Sequence, residues 1–97
     1  MSLSDFYNLD NLRNRSAEIV SARVEEFLDE HRDFCHCEQC VLDLLAYVLN
    51  HVTPMYGTSL LDPFSPNPNQ IKKLNIEIEL AMRAGAKRVS EHPNHEP

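Results

Sequence analysis

Apolar residues recur along this chain at spacings of three and four, the period of a helix with one buried face. In the first such segment, from about Leu12 to His31, Leu12, Ile19, Val20, Val24, Phe27 and Leu28 mark the apolar face. Asp10 or Asn11 stands where a helix cap accepts bonds from free N–H groups. The second segment runs from about Glu38 to Val52, with Val41, Leu44, Leu45, Val48 and Val52 in one stripe and Leu42 and Leu49 widening it. So broad a stripe predicts a central, largely buried helix. Thr53-Pro54 closes it, because proline disfavours helical geometry in the residue before it. The third segment opens at Asn67-Pro68-Asn69-Gln70, with a cap residue, a proline suited to the first helical position and a glutamine that can reach back. It runs to about Ser90 on a stripe of Ile71, Leu74, Ile78, Ala81, Met82, Gly85 and Val89. Gly85 permits close helix approach, and Ile76 and Leu80 fall outside the stripe, either as plain surface or facing a second subunit.

Between the second and third helices lie residues 53–66, about 14 positions with three prolines, long enough to suggest a functional loop. Leu60, Leu61 and Phe64 can pack it onto the core. Residues 1–9 and 91–97 are expected to be flexible ends. The expectation is an all-α fold: one domain over 1–97, a small bundle of three main helices with a long loop between the second and third. Only two glycines occur in 97 residues, which disfavours a fold built on tight turns.

Charge narrows the function. The net charge is −6 with histidines neutral, so there is no basic stripe for broad contact with DNA and no polybasic membrane signal. The N-terminus lacks the pattern of a signal peptide, and no apolar run approaches the roughly 18 residues of a membrane span. A cytoplasmic protein with reduced thiols is expected. A small phosphorylated ligand stays open, since a few arginines suffice to hold one.

All three cysteines fall within "CHCEQC", as Cys35, Cys37 and Cys40. Thiolates at C-x-C-x2-C spacing suit a soft tetrahedral metal, zinc first. Cys35 and Cys37 precede the second helix and Cys40 lies in its first turn, where the helix N-terminus is expected to lower the thiol pKa. Competing readings are small apolar core residues, a redox pair at Cys37-Glu38-Gln39-Cys40, and a disulfide framework, which the odd count argues against. His31, His36, Asp33, water or a partner-chain residue are the candidates for a fourth ligand. His51 lies about 16 Å along the helix from Cys40 and cannot close the same site within its own chain. His51 or a tail histidine can reach a partner's site across an antiparallel dimer. No general base is placed to use a metal-bound water, so a structural metal is favoured. The chain also lacks H-E-x-x-H, a glycine-rich phosphate loop and an evident Cys/His nucleophile, and no enzymatic activity is expected.

The stretch "FCHCEQCVLDLLAYVLNHVTPMY" resembles the ComFB family, named for late competence development. The family's Cys-x-Cys-x-x-Cys run, Leu-Asp pair, Ala-Leu-Asn helix ending and Leu-Pro-Pro-x-Tyr segment become here Cys35, Cys37, Cys40, Leu42-Asp43, Val48-Leu49-Asn50 and Val52-Thr53-Pro54-Met55-Tyr56. Ala86, Val89 and Pro93 match the last helix and its ending. Asp10, Leu12, Asn14 and Glu18 match the N-terminal pattern, the last one place late. Thr53 stands where the family has proline and Val52 where it has leucine.

The resemblance implies an all-helical homodimer with a cysteine-bound zinc. Some ComFB-like proteins are described as receptors for cyclic dinucleotides, chiefly c-di-GMP. On this chain Arg13, Arg15 and Arg23 can meet phosphates, Tyr7 and Tyr56 can stack on guanines, and Asn14 or Asp10 can bond a guanine edge; the plain alternative is a solvated charged face. Two functions follow as expectations: a signalling module that binds a cyclic dinucleotide and signals to an unknown protein partner, or a zinc-stapled dimeric adaptor linked to competence with no small ligand.

Overall fold

The computed structural model describes residues 2–58 and 68–92. Two short 3-10 turns, Leu3–Asp5 and Leu9–Asn11, lead into strand β1 (Leu12–Asn14) and helix α1 (Arg15–Glu30). Helix α2 (Glu38–Asn50), strand β2 (Tyr56–Thr58) and helix α3 (Pro68–Glu91) follow.

The three helices pack around one core. Val20 and Val24 come from α1, Cys40, Leu44 and Val48 from α2, and Leu74, Ile78, Ala81, Met82 and Val89 from α3. Phe34 and Val52 close its ends from the segments on either side of α2. These positions repeat at three and four, so each helix presents one continuous apolar stripe inward. Helix α2 is the central one: each of the others packs more extensively on it than on the other. It meets α3 closely at Gly85: a Cβ there would stand 2.8 Å from Cδ1 of Tyr47 and 3.1 Å from Cδ1 of Leu44. The absent side chain is what lets the two backbones approach.

The fold departs from the sequence expectation in several places. The chain is mostly helical but not all-α, because β1 and β2 pair antiparallel with Leu12 opposite Thr58, Arg13 opposite Gly57 and Asn14 opposite Tyr56. Helix α1 starts three residues later than Leu12, which is exposed in β1. The cap is Asn14 rather than Asp10 or Asn11, its Oδ1 accepting from Ser16 N at 3.1 Å. The first part of the 53–66 loop carries β2. Leu42 does not widen the α2 stripe; it is exposed. Ile76 and Leu80 are exposed, in keeping with their place outside the α3 stripe. Ahead of β1, Asp5 Oδ2 accepts from Ser2 N at 2.9 Å across the turn Leu3–Asp5. The packing of Leu60, Leu61 and Phe64, the cap at Asn67 and the tail from Pro93 lie outside the described residues.

A knot of hydrogen bonds ties the exit of α2 to the other helices. Thr53 donates from its N–H and its hydroxyl to the two carboxylate oxygens of Glu77 on α3, at 3.0 and 2.9 Å. Its carbonyl accepts from the hydroxyl of Ser16, the fully buried polar residue of α1, at 2.5 Å. Two residues on, Met55 donates its N–H to Asn14 Oδ1 at 3.0 Å, and its carbonyl accepts from Arg15 N at 2.7 Å. A proline at position 53 would have neither of the donors that grip Glu77.

Candidate metal centre and ligand face

The turn from α1 to α2 builds the thiol cluster. His31 ends α1, Phe34 packs its ring edge-on to Phe27, and the chain then turns through Cys35 and Cys37 into α2. Cys37 is the N-cap of α2: its backbone is extended, its sulfur accepts from Cys40 N at 3.4 Å, and its carbonyl accepts the first helical bond from Val41 N at 3.0 Å. Capping aims the Cys37 sulfur at the first turn, where Cys40 sits. The ligand atoms of Cys35, Cys37 and Cys40 all lie within 4.8 Å of one another. Tetrahedral zinc–thiolate bonds of about 2.3 Å set sulfurs roughly 3.8 Å apart, so only a slight closing of the cluster is required. The donor set therefore fits a soft, tetrahedral ion.

Burial within the cluster is uneven. Cys35 and Cys37 are exposed, whereas Cys40 is buried in the core. The expectation of a lowered thiol pKa fails at Cys40. Burial pushes its pKa from 9.0 up to about 12, with hydrogen bonding to the other two sulfurs and their charge acting in the same direction. Desolvation outweighs the helix N-terminus here, because a thiolate in the core loses more hydration than a half-charge one turn away returns. A divalent cation at the cluster reverses that balance and favours the thiolate form.

The histidine candidates for a fourth ligand hold other contacts. Nδ1 of His31 lies 2.9 Å from the Phe27 carbonyl, with the imidazole stacked on the Phe27 ring at 4.1 Å. Nε2 of His36 lies 3.2 Å from the His31 carbonyl. His51 repeats the first arrangement at the other end of α2, Nδ1 at 2.7 Å from the Tyr47 carbonyl and the ring stacked on Tyr47. Neither His31, His36 nor Asp33 belongs to the thiol group as the side chains stand.

The residues read as a ligand face are gathered elsewhere. The β1–β2 register places Arg13, Asn14 and Tyr56 on two adjacent strands, with Arg15 starting the next helix and Asp10 in the turn before. Tyr56 is exposed, and Arg13 is exposed while pairing with Glu18. Asn14 carries a structural duty that sequence reasoning missed, since its Oδ1 serves both Ser16 N and Met55 N. Its second partner lies 41 residues away, so no local signal exposes it. Arg23 is turned aside, engaged with Glu26, Asn75 and Glu79. Tyr7 is exposed near the N-terminus. Among the described residues no helix is long and apolar enough to cross a membrane.

The family described as "Late competence development protein ComFB" matches residues 13–93, from β1 to just past the end of α3. No curated protein matches the chain. The match spans most of the sequence and includes the thiol cluster, so the chain belongs to the ComFB family.

Proposed function

We propose that this member of the ComFB family is a small cytoplasmic, non-enzymatic signalling module that binds a cyclic dinucleotide, c-di-GMP first, and carries a structural zinc on Cys35, Cys37 and Cys40. The observation that carries the ligand reading is the β1–β2 register, which pairs Asn14 directly with Tyr56 at the start of α1 and sets Arg13 one residue along, opposite Gly57 and on the other face of the ribbon. A cyclic dinucleotide offers two phosphates and two guanine rings. Arg13 and Arg15 supply charge-assisted donors for the phosphates, and the exposed Tyr56 ring supplies a stacking surface. Asp10, in the preceding turn, is a carboxylate acceptor for the N–H donors on a guanine edge. Arg13 is paired with Glu18 in the free protein and would give up that partner to meet a phosphate.

The zinc, when bound, ties the turn before α2 to the buried first turn of that helix. Cys40 would anchor it from the core while Cys35 and Cys37 close over it from the solvent side. The module is read as a homodimer that passes its state to a protein partner. The exposed Ile76 and Leu80 on α3, with Leu3, Phe6 and Leu9 near the N-terminus, support that reading by offering apolar area beyond the core. The same residues favour the second reading, a zinc-stapled adaptor with no small ligand.

Calorimetric titration of metal-loaded protein with c-di-GMP, and separately with c-di-AMP, decides between them. Saturable heat that is lost in Arg13→Ala and Tyr56→Ala supports the receptor. Flat traces with both nucleotides reject it in favour of the adaptor, and sedimentation tests the dimer in either case.

A further inference from the structure

Three thiols supply three corners of a tetrahedron, and the packing of α3 against α2 indicates where the fourth comes from. Two contacts fix how these helices run past each other. Just beyond the exit of α2, Thr53 is held by Glu77. Farther back, Tyr47 and Leu44 press on Gly85. As the chain is followed back from 53 to the 44–47 turn, α3 advances from 77 to 85. The helices are therefore antiparallel and progress nearly residue for residue, at about 1.5 Å each. The same progression brings the start of α2, where Cys40 and Cys37 sit, to the last turn of α3 and the residue after it. A second observation agrees: Asp33 and Phe34, which lead into Cys35, share a cavity with Ala86, Lys87 and Ser90.

His92 stands at that point. Its N–H donates to the Arg88 carbonyl at 3.0 Å, so helical geometry continues through it. It is seven residues after Gly85 and three after Val89, on the face both direct toward the core; at about 100° per residue it lies some 20° from the direction of Gly85. The stripe of Leu74, Ile78, Gly85 and Val89 thus ends in an exposed imidazole at the end of α3 that lies nearest the start of α2, its ring outside the thiol group as the side chains stand. His31 and His36 are occupied with backbone carbonyls. The side chain of His92 has no such contact among the described residues.

We infer that His92 of the same chain is the fourth ligand of the Cys35–Cys37–Cys40 metal, completing a Cys3His site that fastens the end of α3 to the start of α2. This rests on the metal reading above. Neutral imidazole coordinates without releasing a proton, and the three thiols each give one up. With zinc the site carries a net charge of −1.

The test is cobalt(II) titration of the metal-stripped full chain, followed by its visible spectrum. Wild type should take one cobalt per chain with the intense d–d bands of a tetrahedral ion. His92→Ala should keep thiolate-to-cobalt charge transfer, shift or weaken the d–d bands, and bind at least about 10-fold more weakly, since even an outer-shell partner is worth 10–100-fold. His92→Cys should restore tight binding with the spectrum of four thiolates. A His92→Ala spectrum and affinity equal to wild type overturn the inference while leaving the three-cysteine site intact. So does a loss that appears in His31→Ala or His36→Ala instead. Wild type that takes up no cobalt overturns the metal reading itself.

Discussion

Asn14→Ala removes one oxygen that serves two segments. In the native chain that Oδ1 caps α1 by accepting from Ser16 N and also accepts from Met55 N, 41 residues downstream. Loss of an N-cap costs about 1 kcal/mol. Loss of the second bond costs about 1 kcal/mol more, because the Met55 N–H is partly sheltered and keeps no substitute in the native geometry. The sum is about 2 kcal/mol. For a chain of this size that is a fall in melting temperature of roughly 8–16 °C. Asn14→Asp keeps the acceptor and should lose less than half as much. Urea denaturation of both variants, with metal loading held equal, measures the difference. The comparison also separates the structural duty of Asn14 from any ligand duty. An Asn14→Asp protein that folds like wild type but binds no c-di-GMP would assign the amide group to the ligand. If Asn14→Ala lost under 0.5 kcal/mol, the oxygen would not be the joint described here, and the reasoning would fail.

Other outcomes follow from the same geometry. Gly85→Ala gains about 1 kcal/mol in helix propensity but forces a Cβ to 2.8 Å from the Tyr47 ring; with overpacking costs of about 1–3 kcal/mol, thermal melts should show no gain or a net loss, and a clear stabilisation would show that the ring yields freely. Cys35→Ser, Cys37→Ser and Cys40→Ser should each lower metal content and melting temperature in the loaded protein. Cys37→Ser is the most telling, because serine still caps α2: stripped of metal it should match stripped wild type to within about 0.5 kcal/mol, and a larger deficit would place the effect in the helix rather than the metal. Metal-free protein should lose stability in alkali. The unfolded Cys40 thiol gives up its proton near its ordinary pKa of 9.0, while the folded one holds it to about 12, so stability is intact below pH 9 and declines above it by up to about 1.4 kcal/mol per unit. Denaturation curves across that range, with Cys40→Ala as reference, should diverge; parallel profiles would count against the burial effect.

The helices were legible because their apolar residues repeat at three and four over a dozen positions or more. Pro68 and Thr53-Pro54 marked one start and one finish through backbone geometry alone. The β ribbon was not legible: its strands are three residues each and mostly exposed, so they carry no alternation. What creates it is the return of the chain at Met55 to the start of α1, a long-range event. The thiol cluster was visible because it is local in sequence. The uneven burial of its members was not, since that depends on which way the first turn of α2 faces the core. The same limit hid Asn14, whose short-range pattern suits a cap or a ligand contact equally well.

The fastenings of α2 give the molecule an unequal pair of ends. At its start stand sulfurs suited to a metal; past its finish, Thr53 and Met55 hold Glu77, Ser16 and Asn14 by ordinary hydrogen bonds. Thirteen helical residues, about 20 Å, separate them. Such ends can open independently. Chelation should therefore raise amide exchange first in the turn from residue 32 to residue 40, while the amides of Thr53 and Met55 stay protected. Loss of metal would then loosen one pole of the helix and leave the hydrogen-bonded pole closed.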